Sequence, residues 1–160
     1  MCAAARLAAV NLSLADRVAV SELVHRYAAA VDDRNVEMVI ELFAADGELV
    51  LPEPPDVLNP VRSHRGPAAL RDALGAATSI GRTHHTIGSE VYSPDSKPDV
   101  AHGRIAATAH HWSRRSDGIA DLVWYLRYDD EYLRAESGWV LARRALTIDA
   151  IETRAARRLR

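Results

Sequence analysis

The stretch IADLVWYLRYDDEYL (residues 119–133) alternates apolar and charged side chains with the period of a β-strand. One face carries Leu122, Trp124, Leu126 and Tyr128, and the other carries Asp121, Arg127 and Asp129. Strand-like segments also occupy residues 82–92, 101–114 and 139–148, and turn-forming residues separate them, in SPDSKPD, SDG and AESG. The C-terminal half of the chain is therefore expected to form a strongly bent sheet.

Helices are predicted to precede this sheet. The sequence SLAD at residues 13–16 fits a capping box, and an apolar stripe at helical spacing follows it. This stripe contains Val20, Val24, Tyr27, Ala28 and Val31. A second helix is predicted over residues 36–43, and a third begins at Pro67, since proline is tolerated in a first turn. Between these helices, ELVL and VRSHRG predict short strands, and PEPPDVLNP (residues 52–60) predicts a loop.

Helices followed by a sheet indicate an α+β fold. Three N-terminal helices packed on a strongly curved mixed or antiparallel sheet make a cone-shaped α+β barrel, whose interior is a natural pocket for a small apolar molecule. The length of 160 residues suits a single domain, which we place at residues 13–152. Residues 1–12 are expected to be a disordered leader, and residues 153–160 a basic C-terminal tail.

Composition narrows the class of protein. The net charge of −2 and the lack of an internal basic patch argue against nucleic acid as a partner. No apolar run approaches the roughly 18 residues that a membrane span requires. The one cysteine, Cys2, leaves no internal disulfide to form, which is typical of a protein of the reducing cytoplasm.

Two histidine doublets supply the candidate chemistry. His84 and His85 lie in GRTHHTIGSEVY (residues 81–92), and His110 and His111 lie in ATAHHWS (residues 107–113). Because a strand sends successive side chains to opposite faces, each doublet delivers one imidazole to the inside of the sheet. Alternation alone favours His111 as the buried member of the second pair.

Three motifs resemble the SnoaL-like branch of the nuclear transport factor 2-like superfamily, which includes scytalone dehydratase and bile-acid 7α-dehydratase. They are RYAAAVDDRNVEMVIELFAADGELV, GRTHHTIGSEV and SGWVLARRALTID, and the resemblance covers roughly residues 14–150. The resemblance implies a cofactor-free acid–base site made of Asp32, His85 and His110. It selects His110, whereas alternation selects His111, and a β-bulge would reconcile the two.

Other positions depart from scytalone dehydratase. Its two substrate-orienting tyrosines are replaced by Val31 and Leu51, and its polar groups on the third long strand by Leu126 and Tyr128. The spacing of Tyr27 and Asp32 is instead similar to that of the bile-acid dehydratase. The expected substrate-binding residues are Tyr27, Leu51, Trp124, Tyr128 and Arg144.

Each of these residues also has an ordinary structural interpretation. Asp32 can cap the next helix, as Asp33 and Asn35 also can. Tyr27 lies on the apolar stripe, where tyrosines are commonly part of the core. Arg144 would bind an anionic group if it points inward, although most strand arginines are solvated. The histidines are dispersed over both faces without a ligand motif, so we expect no metal, and the acid–base site requires no cofactor.

The function expected from this site is a lyase, namely a dehydratase, or an isomerase that moves a proton on a small apolar carbonyl-bearing ring compound. An aspartate beside a histidine fixes the imidazole tautomer, which prepares its other nitrogen to accept a proton. The alternative is a binding protein on the same fold that performs no catalysis. Contact between Asp32 and His85 inside a cavity would favour the enzyme.

The chain is also expected to form a homo-oligomer, most simply a homodimer, with a trimer as the alternative. The outward face of residues 119–133 mixes aromatic and charged groups, as interfaces do, with Tyr125 and Arg127 as its central anchors. On the last strand, Trp139 and Leu141 share a face with Arg143 that is too apolar for open solvent.

Overall fold

The computed structural model describes residues 12–77 and 81–157. Its elements are α1 (Leu14–Asp32), α2 (Val36–Glu41), β1 (Phe43–Glu53), β2 (Val57–Arg65), α3 (Gly66–Ala77), β3 (Arg82–Pro94), β4 (Val100–Arg115), β5 (Gly118–Ala135) and β6 (Gly138–Ala156). The predicted order of helices and long strands is confirmed. The expected disordered leader lies almost entirely outside the described residues.

The strands form one open six-stranded sheet in the order β2-β1-β6-β5-β4-β3. All neighbouring pairs are antiparallel except β1 and β6, which run parallel. The sheet is therefore mixed, and the three helices pack on it as the α+β prediction requires. The helix contacts are mainly α1 with β3 and β6, and α3 with β1.

Local sequence signals account for the helix ends. The Ser13 hydroxyl accepts the backbone N–H of Asp16 at 3.1 Å and caps α1, as the capping box predicts. The side chain of Asn35 accepts the N–H of Met38 at 3.1 Å and caps α2. Asn35 thus performs the capping role that was open to Asp32, which leaves the Asp32 carboxylate for other partners.

The prediction of a loop over residues 52–60 is wrong for most of its length. Strand β1 continues to Glu53 and β2 begins at Val57, so only residues 54–56 form the turn. The two strands pair antiparallel, with Glu53 opposite Val57. Proline is tolerated here because β2 is an edge strand of the sheet, where Pro60 leaves no central ladder hydrogen bond unmade.

The core lies between the concave face of the sheet and the helices. It includes Val20, Val24, Leu49, Leu70, Ile105, Leu126, Tyr128, Leu141 and Ile148. Trp139 belongs to this core with Leu141, and the two have 6% and 0% of their surface exposed. The chain thus covers these two side chains itself, and the sequence argument that they need a second subunit no longer applies.

The outer face of the sheet carries the other residues of the expected interface. Arg127 donates to Asp149 there through two nitrogens, and the Tyr125 hydroxyl lies 3.3 Å from Glu152. Strand β6 extends to Ala156, so the first residues of the expected basic tail pair with β5. The homo-oligomer stays a prediction.

Candidate active site

The Asp32 carboxylate and the His85 imidazole form a direct hydrogen bond. Oδ1 of Asp32 lies 2.7 Å from Nδ1 of His85. Oδ2 of Asp32 also accepts the backbone N–H of His85 at 2.8 Å. The His85 side chain is 8% exposed and that of Asp32 is 19% exposed, so the bond is shielded from most of the solvent. With its Nδ1 proton directed at Asp32, the imidazole keeps Nε2 as the nitrogen available to accept a proton.

Asp32 reaches His85 because α1 ends beside the edge strand β3. It is the last residue of α1, and its carboxylate also accepts the Thr83 hydroxyl at 2.9 Å. Burial alone would raise the pKa of Asp32. The hydrogen bonds from the side chain and backbone of His85 outweigh burial, and together with Thr83 they hold the pKa of Asp32 below its usual value.

Two further imidazoles lie near this pair. Nδ1 of the exposed His84 lies 3.9 Å from Oδ2 of Asp32, and the buried imidazole belongs to His111. Its ring centroid lies 6.4 Å from that of His85, and the ring packs on Trp124 at 4.4 Å. Nδ1 of His111 lies 3.0 Å from the carbonyl oxygen of Leu122, so this nitrogen carries the proton. Burial lowers the pKa of His111, which favours the neutral ring with Nε2 as an acceptor.

His110 lies on the opposite face of the sheet from His85. Regular pairing of β4 with β3 and β5 continues through this region without a bulge, so alternation sends His110 outward and His111 inward. Nδ1 of His110 lies 2.8 Å from Oδ2 of Asp121, and its ring stacks on Trp112 at 5.4 Å. The structure therefore does not bring His110 together with Asp32 and His85.

An apolar cavity of about 140 Å3 opens beside His85. Four of the five expected substrate-binding residues line it, namely Tyr27, Leu51, Trp124 and Tyr128. The remaining wall consists of Val31, Leu49, Pro52, Ala73, Leu74 and Leu146. His85 is the only titratable side chain other than tyrosine among these residues, so the cavity presents one proton-accepting group to an otherwise apolar space.

Arg144, the fifth expected residue, lies behind the tyrosines and is fully buried. Its guanidinium lies 4.2 Å from the ring centroids of both Tyr27 and Tyr128. Two of its nitrogens donate to Asp130 at 2.8 and 2.6 Å. Burial would lower the pKa of Arg144, but the Asp130 carboxylate raises it above its ordinary value. The arginine is therefore charged, and Asp130, which lies opposite it on the adjacent strand β5, neutralises it.

The two cavity tyrosines stay protonated. Burial raises the pKa of Tyr27 and of Tyr128 above the ordinary phenol value. Their rings meet edge to face at 5.9 Å. A buried phenol that keeps its proton is a hydrogen-bond donor, which suits a carbonyl or hydroxyl oxygen of a ligand.

Sequence reasoning missed Asp130 and Thr83. Asp130 shares a strand face with Tyr128 and Tyr132, so alternation already placed a carboxylate on the inner side, and a buried carboxylate requires a cation. Tyr132 donates to the same carboxylate at 2.7 Å. Thr83 lies two residues before His85 on the same face, but a threonine in a strand is too common to attract notice.

Among residues 12–77 and 81–157, no group of three or more histidine, cysteine or acidic side chains is arranged to hold a metal ion. Within the same ranges, no helix is both long enough and apolar enough to cross a membrane.

Comparison with known proteins gives one family. The family model described as "SnoaL-like domain" matches residues 12–145, which is most of the chain. No curated protein matches this chain significantly.

Solved structures share the fold at low sequence identity. The hexachlorocyclohexane dehydrochlorinase LinA-type3 from Novosphingobium barchaimii aligns with a TM-score of 0.75 and 16% identity, over 92% of this chain and 96% of that one. A provisionally assigned scytalone dehydratase from Novosphingobium aromaticivorans gives 0.71 and 22%, over 91% and 94%. The Kfla4162 protein from Kribbella flavida gives 0.75 and 24%, over 86% and 93%. At these identities the likeness establishes the fold alone.

Proposed function

The chain belongs to the SnoaL-like family, and on that premise we propose that it is a cofactor-free acid–base enzyme. It acts as a dehydratase or an isomerase on a small, neutral, carbonyl-bearing ring compound. The observation that carries this proposal is the 2.7 Å bond between Asp32 and His85 at the wall of an apolar cavity. A structural aspartate–histidine pair would need no cavity beside it.

The proposed step begins with proton transfer to His85. Nε2 of His85 takes the proton from the carbon next to the substrate carbonyl, and the electrons of the C–H bond form the enolate. The Asp32 carboxylate stabilises the imidazolium that results. The phenol of Tyr27 or Tyr128 donates a hydrogen bond to the carbonyl oxygen, where the negative charge develops.

The step ends in one of two ways, and in both His85 gives back the proton that it abstracted. In dehydration, the enolate electrons form the C=C bond while the C–O bond breaks, and His85 returns its proton to the departing hydroxyl as water. In isomerisation, His85 returns the proton to a different carbon. His111 does not itself line the cavity; its neutral ring lies beside His85 and packs on the cavity residue Trp124. It is the inward-facing histidine of its doublet, in place of the His110 that the family resemblance implied.

Cavity size narrows the substrate. A cavity of about 140 Å3 is close to the engineered apolar cavity of roughly 150 Å3 that binds benzene, and smaller than the roughly 300 Å3 of drug-sized sites. One-ring or compact two-ring compounds are therefore favoured over four-ring steroids.

The charges around the cavity further limit the class of substrate. Because Asp130 already neutralises Arg144, the arginine offers no free positive charge to an anionic group. The cavity wall contributes phenol hydroxyls, the His85 imidazole and apolar carbon. Burying a carboxylate or phosphate in such surroundings would be costly without a partner. We therefore propose a neutral substrate, which differs from the anionic group that the sequence suggested for Arg144.

The second candidate is a binding protein without catalysis. The apolar Leu51 and Leu126 in place of polar groups favour it. The contact between Asp32 and His85 beside the cavity supports the enzyme instead, since binding an apolar ring does not require an oriented imidazole.

A panel of ring compounds tests the proposal. It contains one-ring and two-ring β-hydroxyketones, their unsaturated isomers, and halogenated cyclohexanes, because similar folds are named as dehydrochlorinases. Wild-type protein is compared with the His85→Ala variant. We expect turnover of at least one ring compound that the variant loses. Unchanged turnover of that compound by His85→Ala would exclude His85 as the base, and binding without any turnover would favour the second candidate.

A further inference from the structure

Three donors fix the Asp32 carboxylate, and all three come from β3. The His85 backbone N–H binds Oδ2 at 2.8 Å, whereas the His85 ring and the Thr83 hydroxyl both bind Oδ1, at 2.7 and 2.9 Å. Thr83 and His85 stand two residues apart, so the strand presents both side chains on one face.

The arrangement makes the orientation of the carboxylate independent of the imidazole. One oxygen is held by a backbone N–H and the other by a hydroxyl on a short β-branched side chain, which has few rotamers. Both oxygens are therefore restrained when the ring of His85 changes its charge. Without the Thr83 hydroxyl, only the imidazole itself would restrain Oδ1.

We infer that Thr83 is a positioning residue that holds the Asp32 carboxylate toward His85, a role that rests on the proposed function. Thr83 touches no substrate and acts through Asp32 alone. Its hydroxyl keeps the carboxylate ionised and oriented during proton transfer, and so keeps the Nδ1 proton of His85 directed away from the cavity.

An ordinary structural role for Thr83 makes different predictions. A half-buried strand threonine contributes packing and β-propensity, and valine replaces both. Under that interpretation Thr83→Val would leave kcat unchanged, even though loss of the hydrogen bond alters the titration of Asp32. Under the positioning role, the variant removes one donor to a charged oxygen while keeping the shape of the side chain.

The test compares Thr83→Val, Thr83→Ser and the control Thr86→Val, which alters an exposed threonine on the opposite face of the same strand. The first readout needs no substrate. Carbon-13 NMR of the Asp32 carboxyl follows its titration over the acid range in which the protein stays folded. We expect the midpoint to rise in Thr83→Val toward the ordinary 3.8, and to stay at the wild-type position in Thr83→Ser and Thr86→Val.

The second readout uses whichever ring compound the wild-type protein converts. We expect kcat to fall about tenfold in Thr83→Val with KM unchanged, and to recover in Thr83→Ser, since the lost bond is to a charged group. An unchanged Asp32 midpoint in Thr83→Val, or a Thr83→Ser variant as impaired as Thr83→Val, would overturn the inference. A shifted midpoint in a protein whose turnover survives His85→Ala would instead overturn the proposed function.

Discussion

The Asp32 carboxylate holds His85 at two points, with Oδ1 2.7 Å from the ring Nδ1 and Oδ2 2.8 Å from the backbone nitrogen. The strand and the side chain of the same histidine are therefore both tied to the end of α1. This double attachment fixes the position of the imidazole and also its tautomer.

Replacement of Asp32 by asparagine is expected to abolish most activity without unfolding the protein. The amide keeps the shape of the side chain but loses the charge that stabilises the imidazolium. It also turns one of the two acceptor oxygens into an NH2 donor, so the ring or the backbone N–H of His85 loses its acceptor. We expect kcat to fall by up to about 10^4-fold, the effect seen when a triad aspartate is replaced in this way. Asp33→Asn alters the exposed neighbouring residue and serves as the control. A variant that keeps more than a tenth of the activity would contradict the role of Asp32.

Burial of neutral His111 is expected to make stability depend on pH. Its folded pKa lies below the ordinary 6.5, so between these two values the unfolded chain binds a proton that the folded protein does not. The free energy of unfolding should therefore keep the whole contribution of neutral His111 above pH 6.5. It should decrease as the pH falls from 6.5 toward the folded pKa. Urea titrations at several pH values should show a smaller decrease for His111→Gln than for wild type. His64→Gln, on β2, serves as the reference variant. An equal decrease in wild type and in His111→Gln would disprove the assignment.

Breaking the buried pair of Asp130 and Arg144 is expected to be costly. Asp130→Asn or Arg144→Met leaves a buried partner without its counter-charge, and such losses amount to about 3–5 kcal/mol of unfolding free energy. The double variant Asp130→Leu with Arg144→Met should recover much of this loss. Arg71→Ala, which breaks an exposed pair with Glu37, should change the urea midpoint little. Equal effects of the buried and the exposed single variants would contradict the account.

Filling the cavity is expected to block binding of one-ring ligands. Leu51 lines the cavity, and Leu51→Phe adds a ring to its wall at a stability cost of about 1–3 kcal/mol. We expect at least tenfold weaker binding of cyclohexanone by NMR titration, because the added ring occupies the volume of the ligand. Val61→Phe changes an exposed side chain on β2 and should bind as wild type does. Equal binding by both variants would place the ligand elsewhere.

The predicted homodimer is tested by light scattering at micromolar concentration. The expected mass is that of two chains, and Tyr125→Glu should reduce it to one, because a buried charge opposes association at an interface centre. Met38→Glu on α2 provides a charge change away from the outer face of the sheet. A wild-type mass of one chain would show that the expected assembly is wrong.

Periodicity predicted the long strands well because one face of each packs toward the core and the other points away from it. Leu126 and Tyr128 are buried inward, whereas Asp129 is exposed, as their alternation required. The parallel pairing of β1 with β6 was not predicted, since their contact joins residues about a hundred positions apart and no local pattern encodes it. The prolines of residues 52–60 led to the wrong prediction of a loop for a related reason. Proline is tolerated in an edge strand, and only the sheet topology makes β2 an edge strand.

The site was predictable only in part. Asp32 and His85 were identified through the family motif. Their contact depends on the tertiary fold, which the family resemblance implied and local sequence patterns do not encode. The choice between His110 and His111 depended on the absence of a bulge in β4, and a bulge is set by pairing with neighbouring strands. Thr83 gave no signal, because its importance comes from one hydrogen bond to a residue 51 positions away.

The most direct measurement of the central claim is deuterium exchange at the carbon next to the carbonyl of small cyclic ketones, followed by proton NMR in D2O. It reports proton abstraction itself and does not require the natural substrate. Wild type and His110→Gln should accelerate exchange equally, and His85→Gln should lose at least a hundredfold of that acceleration. Exchange at the wild-type rate in His85→Gln would contradict the account.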